Sequence, residues 1–216
     1  VRASDLLMAA YPALYTGTDG QPGAGYGEMW TTEDLGQVPG IILYKSYVKD
    51  INPMGMSYIE HTSSHYVEMN QNTVDLYLMK NGKPILADGS GYHGNKDMYA
   101  VFRDRDPRLY QTVADSLRIM SAMGTNYTEG TSPTGYPTKK FLNDEWWVAG
   151  LDYCTGRLSP ADAPCIRYAE VLLNYVEARY EIAQVGGNAF TQSDLDKSIN
   201  ELRDRQLTKW GDTEAK

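Results

Sequence analysis

The sequence predicts a mostly α-helical fold, in which a helical hairpin packs with long irregular loops and short β-hairpins. Three observations predict it. Two apolar stripes at helical spacing occupy the C-terminal part of the chain. Stretches rich in Gly, Pro, Ser and Thr at 16–40, 124–138 and 143–164 break up the rest. Only Ile41–Val48 and Val74–Met79 are short runs that favour β structure, the second ending in the turn Asn81-Gly82.

In chain order, residues 4–15 predict a helix with Ser4 as N-cap and Leu6, Leu7, Ala10 and Leu14 on one face, interrupted by Pro12. The loop 16–40 contains Tyr26, Met29 and Trp30. Arg103-Asp104-Arg105-Asp106-Pro107 is a charged turn leading into the stretch from Leu109 to Met120. Pro164 suits the first turn of a helix capped by Asp162, with Ala169, Leu172, Leu173, Val176, Tyr180 and Ala183 as its stripe. Gly186-Gly187 stops it. Thr191 opens the next helix in a capping-box pattern with Asp194, and Leu195, Ile199 and Leu202 form its stripe. The chain thus divides into a loop-rich part, 1–163, and an αα-hairpin, 164–209. Such a hairpin cannot bury both apolar faces alone and calls for further helices, although no second copy recurs at tetratricopeptide spacing.

The 216 residues allow one large domain or two small ones, and the net charge of −8 argues against nucleic acid and against a polybasic membrane-surface protein. No apolar stretch approaches the ~20 residues of a bilayer-spanning helix. Seventeen Tyr and four Trp stand against three Phe, so most rings carry a polar group, which suits wet binding surfaces better than dry cores. Cys154 and Cys165 are too few for a disulfide scaffold and badly spaced for zinc. They fit either one bridge, in an oxidising compartment, or two small buried thiols, the favoured expectation.

The segment from Pro164-Cys165-Ile166-Arg167-Tyr168-Ala169-Glu170-Val171-Leu172-Leu173-Asn174-Tyr175 through Glu177-Ala178, then Ile199-Asn200 and Arg203, resembles the SusD/RagB family. Val74-Asp75-Leu76-Tyr77, Asn81-Gly82-Lys83-Pro84-Ile85, Phe102 to Leu109, Gly135-Tyr136 and Lys139-Lys140-Phe141 agree in the same order. The resemblance implies a SusD-like fold of tetratricopeptide-like hairpins with long loops. It implies a non-catalytic, cofactor-free outer-membrane lipoprotein that faces the cell surface. Such a protein binds polysaccharide or oligosaccharide, or in some branches peptide, and acts with a SusC-like TonB-dependent transporter. The family's lipidated cysteine, N-terminal helical half and C-terminal Glu/Arg-rich block have no counterpart in the chain. The expectation is therefore a middle-to-C-terminal fragment whose only membrane attachment is an anchor outside it.

Several clusters invite other chemistry. Arg167, Glu170 and Glu177 are better explained as a structural ion-pair set on a helix than as acid–base machinery. The same holds for Asp104, Asp106 and Arg108. His61 and His65 are spaced like a zinc pair, but Thr62 stands where a zinc protease needs Glu, and His93 is remote, so no metal site is expected. Gly23-Ala24-Gly25-Tyr26-Gly27 lacks the strand, the Lys-Ser/Thr and the helix of a phosphate loop. Ser90 lacks the nucleophile-elbow glycines.

The rings remain. A sugar offers a C–H face to a flat ring and hydroxyls to the polar groups around it. Tyr26 and Trp30 lie in a polar loop beside Glu28 and Asp34, and Trp146, Trp147 and Tyr153 lie among Asn143, Asp144, Glu145 and Asp152. These five are the candidate ligand-binding residues; the alternative is that the rings plug their loops onto the helices. Three platforms at roughly 1 kcal/mol each, with a few hydrogen bonds, amount to millimolar affinity, adequate for a multivalent polymer receptor. The expected function is glycan presentation to a transporter; the alternatives are a peptide- or protein-docking module, with the rings as interface anchors, and a hydrolase in an unfamiliar fold.

Overall fold

Short helices, each set by a local cap, carry most of the regular structure in the computed structural model, which describes residues 1–11, 13–18, 23–55, 68–113, 134–143, 145–146, 149–152 and 157–207. Helix α1 (Arg2–Ala10) starts from Val1, and Ser4 is a buried residue inside it, not its cap. Tyr11, which precedes Pro12, leaves the helical region at φ −127°, ψ 69°, as a residue before proline must. Helix α2 (Ala24–Glu28) forms inside the stretch expected to be loop. Gly25 there lies against residues 15–17, where a Cβ would fall 2.5 Å from the Gly17 nitrogen, so only glycine allows that approach.

Helix α3 (Gln71–Asp75) replaces the first part of the β run expected at Val74–Met79. The β propensity of the run yields to Asn70, whose side chain accepts from Thr73 N at 2.8 Å and caps the helix. Asp97 caps α4 (Met98–Phe102) in the same way, and Asp106 caps α5 (Pro107–Thr112) with Pro107 in the first turn. The charged turn is therefore as expected: Arg108 forks onto Asp106, with Nε 3.0 Å from Oδ1 and Nη2 2.5 Å from Oδ2.

The sheet is small and is not a hairpin. Strand β1 (Ile41–Lys45) pairs antiparallel with β2 (Ala163–Arg167), far away in sequence, with Ile41 opposite Arg167 and Lys45 opposite Ala163. Pro164 thus stands in a strand, and the helix begins four residues later, at Tyr168. Asp162 is buried and does not cap the helix that begins at Tyr168. Its carboxylate accepts from Leu35 N at 3.1 Å and Tyr47 N at 2.8 Å, fastening the segment ahead of β2 to both flanks of β1. Cys165 on β2 is exposed with a free thiol, against the expected buried one; Cys154 lies outside the described residues.

Helix α6 (Tyr168–Gln184) ends before Gly186, which takes φ 83°, as its sequence predicts. Its buried face is Tyr168, Val171, Leu172 and Tyr175; of the expected stripe, Leu173 and Tyr180 are about half exposed. The face turns because tyrosine occupies core positions usually held by aliphatic residues. Helix α7 (Gln192–Leu195) carries the predicted capping box between Thr191 and Asp194. It passes through a π-helical turn (Asp196–Asn200) into α8 (Glu201–Leu207). Across the hairpin the buried contact is polar: Tyr175 Oη and Arg179 Nε lie 2.8 and 2.9 Å from Asp194 Oδ1, and Thr191 N and Oγ1 bond its Oδ2.

Among the described residues, two apolar clusters hold these elements. Tyr168, Val171 and Leu172 pack with Leu7, Met8, Tyr11 and Leu14 around α1, and with Ile42 and Leu202. Val74, Val101, Phe102, Leu109, Val113 and Tyr136 unite α3, α4 and α5. At the second cluster's edge, Arg105 is wholly buried. Its guanidinium donates to the carbonyls of Val101, Val74 and Tyr77 at 3.1, 2.7 and 2.8 Å, with no carboxylate in ion-pair range among the described residues. These carbonyls stand at or near the C-terminal ends of α3 and α4, where unpaired acceptors and the helix dipole favour a cation.

Candidate functional site

Four segments bring the candidate residues together. Tyr26 rides on α2, which packs against α5, and Trp30 follows in the turn after α2. The segment 137–141 is fastened to the end of α5, with Lys139 N and Thr138 Oγ1 both donating to Thr112 O at 2.9 and 3.1 Å. That anchoring delivers Lys140 and Phe141. Arg167 closes β2, placed by its pairing with Ile41 and by the bond from Tyr168 N to Gly40 O at 2.8 Å.

At their meeting point, Lys140 Nζ stands 4.0 Å from the Trp30 ring centre and 5.6 Å from that of Tyr26. The Arg167 guanidinium lies 5.6 and 5.7 Å from the same two rings. Phe141 meets Trp30 edge-on at 5.2 Å and 83°. Arg167 Nη1 reaches Met29 Sδ at 3.4 Å, and no ion pair joins Arg167 to Glu170 among the described residues, so the expected helix-surface pair is replaced by a cation–π contact. The buried Trp30 indole N–H has no acceptor among the described residues.

The electrostatics follow from this crowding. Burial raises the Tyr26 phenol, but Lys140 and Arg167, with help from Thr112 and Arg108, outweigh it and hold the group below its ordinary value. Burial lowers Lys140, and Arg167 pushes the same way. Tyr77, half-buried and close to Tyr26, is pushed up to about 12 by desolvation first and by Tyr26 second.

Among the described residues, two hollows flank this cluster. One, of about 540 Å³, is polar: Tyr15, Glu28, Gln111, Lys139, Asn143 and Glu145 contribute to its wall. Glu28 is held there by Tyr15 Oη at 2.6 Å and Thr18 N at 2.9 Å. The other, of about 400 Å³, is mainly apolar: Tyr26, Tyr77, Arg108 and Arg167 line it with Leu173 and Leu202.

Tyr26 and Trp30 therefore come together, with cations close to both rings. Trp146 is half-buried in the segment whose Asn143 and Glu145 line the polar hollow, its backbone N–H bonded to Asn143 Oδ1 at 3.2 Å. Trp147 and Tyr153, like His61 and His65, lie outside the described residues. Ser90 is a turn residue that donates to Ile85 O at 2.9 Å. Sequence reasoning missed Tyr15, Gln111 and Lys140 as site residues and gave Arg167 a different partner. Lys139-Lys140-Phe141 stood out only as a family landmark, and nothing local to it signals a contact with Trp30. The surroundings of Tyr26 and Trp30 can receive hydrogen-bond acceptors and negative charge.

A model of the SusD family matches residues 45–215, a span that includes Lys140, Trp146 and Arg167 and begins after Tyr26 and Trp30. No curated protein and no solved structure matches the chain.

Proposed function

Because the chain belongs to the SusD family, whose members are generally non-catalytic binding proteins of outer-membrane nutrient uptake, we propose that it captures oligosaccharide and presents it to a SusC-like TonB-dependent transporter. The ligand lies across the Tyr26–Trp30 cluster and the polar hollow beside it, with Trp146 at the rim; Trp147 and Tyr153 belong to the same proposed site. The αα-hairpin is the tetratricopeptide-like scaffold behind these loops. The protein sits at the outer-membrane surface; among the described residues no helix is long and apolar enough to cross a membrane.

The observation that carries this reading is the polar hollow. Residues 27–32 and 139–145, which flank the rings, line it with Tyr15, Thr18 and Gln111, and their hydroxyl, amide, carboxylate and ammonium groups are the complement of a sugar's hydroxyl rim. A peptide ligand is the second reading, favoured by the apolar hollow and the exposed Leu76 at its edge.

Affinity gel electrophoresis against soluble polysaccharides tests the choice, with Trp30→Ala and Trp146→Ala alongside and folding checked by circular dichroism. Retardation by a polysaccharide, lost in a Trp variant, is the expected result. Folded protein that no polysaccharide retards, but that binds peptides, would replace the glycan reading with the peptide one.

A further inference from the structure

The groups around Trp30 are mismatched in one direction. Lys140 and Arg167 bring two positive charges to one pair of rings, and neither forms an ion pair with a carboxylate among the described residues. Arg108 adds a third cation along the wall that Tyr26 and Arg167 share, and its charge is answered by Asp106. The Trp30 indole N–H is buried without an acceptor among the described residues. The site thus holds a surplus of donors and cations on a chain whose net charge is −8. Cation–π attraction offsets part of the cost of bringing two like charges together, but it leaves a net local charge of the same sign.

From this we propose that the oligosaccharide recognised at this site is acidic, and that Lys140 and Arg167 receive a sugar carboxylate beside Tyr26 and Trp30. The inference rests on the glycan reading and narrows it to one chemical class. Arg167 and Tyr26 line the apolar hollow, so a carboxylate entering from that side meets Arg167, with Lys140 against the same two rings. A carboxylate there neutralises the surplus, and charge-assisted bonds to a guanidinium and an ammonium are the strong ones in a half-buried setting. The lowered Tyr26 phenol has the same cause, since Lys140 and Arg167 favour negative charge on its ring oxygen despite burial. The overall negative charge then selects against anions elsewhere on the surface and confines acidic-sugar binding to this spot.

The test is isothermal titration of the full chain with uronate oligosaccharides (oligogalacturonate, oligoalginate and glucuronoxylan fragments) and with their methyl esters, which keep the sugar and remove the charge. Lys140→Gln, Arg167→Gln and the charge-preserving Lys140→Arg are titrated in parallel, each checked by circular dichroism. At least one uronate should bind, with about tenfold weaker binding for its ester and for each Gln variant, recovery in Lys140→Arg, and weakening with added salt. Equal binding of acid and ester, or binding of neutral oligosaccharides alone, would overturn the acidic-ligand inference and leave the glycan reading standing. Binding of carboxylate-bearing peptides with no saccharide of either kind would overturn both.

Discussion

Replacing Arg105 by Met tests the least expected structural feature of the chain, a guanidinium with no exposed surface that holds three main-chain carbonyls. Met preserves much of the volume and removes the charge. Val74 O keeps another donor, Tyr77 N at 3.3 Å, so Val101 O and Tyr77 O are the acceptors that lose most. An orphaned buried carbonyl costs about 1–3 kcal/mol, so the two together lose roughly 2–6 kcal/mol. Relief from desolvating the cation works in the opposite direction; burial already holds the Arg105 guanidinium below its ordinary pKa. The expected net destabilisation is about 3 kcal/mol, or a Tm about 6–12 °C lower for a chain of this size. Urea unfolding followed by circular dichroism reads it as a lower midpoint with an unchanged slope. Arg105→Lys keeps the charge but loses the fork, and should also be destabilised. A loss of less than about 1 kcal/mol in the Met variant would refute the reasoning, since the carbonyls would then have found other donors.

Asp162→Ala removes a buried carboxylate that accepts from Leu35 N and Tyr47 N. It should cost about 3 kcal/mol and speed hydrogen exchange at those two amides; unchanged exchange there would show that the fastening is not needed. Arg179, then Tyr175 and Thr191, hold the Asp194 carboxyl well below the usual carboxylate range. A folded pKa below the unfolded one, about 4, gives stabilisation that is complete above roughly pH 5 and is lost as the pH falls. The gap between thermal melts of wild type and Asp194→Asn should therefore narrow, without closing, as the pH falls from 6 to 3, and a constant gap would contradict the assignment.

Features with local causes were legible in the sequence. The Thr191–Asp194 capping box, the charged turn at Asp106-Pro107 and the Gly186 stop each depend on neighbours within a few residues. What escaped depends on distant partners. Pro164 has the chemistry of a helix start, but its segment pairs with Ile41–Lys45 and becomes a strand. The buried face of α6 runs through Tyr168 and Tyr175, and a ring with a hydroxyl gives no periodic apolar signal. Asp194 and Ser198 are buried where Leu195 and Ile199 were the expected stripe, because Tyr175 and Arg179 of α6 supply polar partners. At the site, the rings Tyr26 and Trp30 were visible as an unusual pair in a polar loop. Their cations were not, since Lys140 and Arg167 arrive from two separate segments through tertiary packing alone.

The central claim is ligand capture without turnover at the Tyr26–Trp30 cluster. Its most direct measurement is titration of wild type and Trp30→Ala with an oligosaccharide, followed by recovery of the sugar and measurement of its chain length after prolonged incubation. The account predicts saturable binding by wild type, recovery of the oligosaccharide intact, and at least about tenfold weaker binding in the variant. Shortened products, or equal binding by wild type and Trp30→Ala, would contradict it.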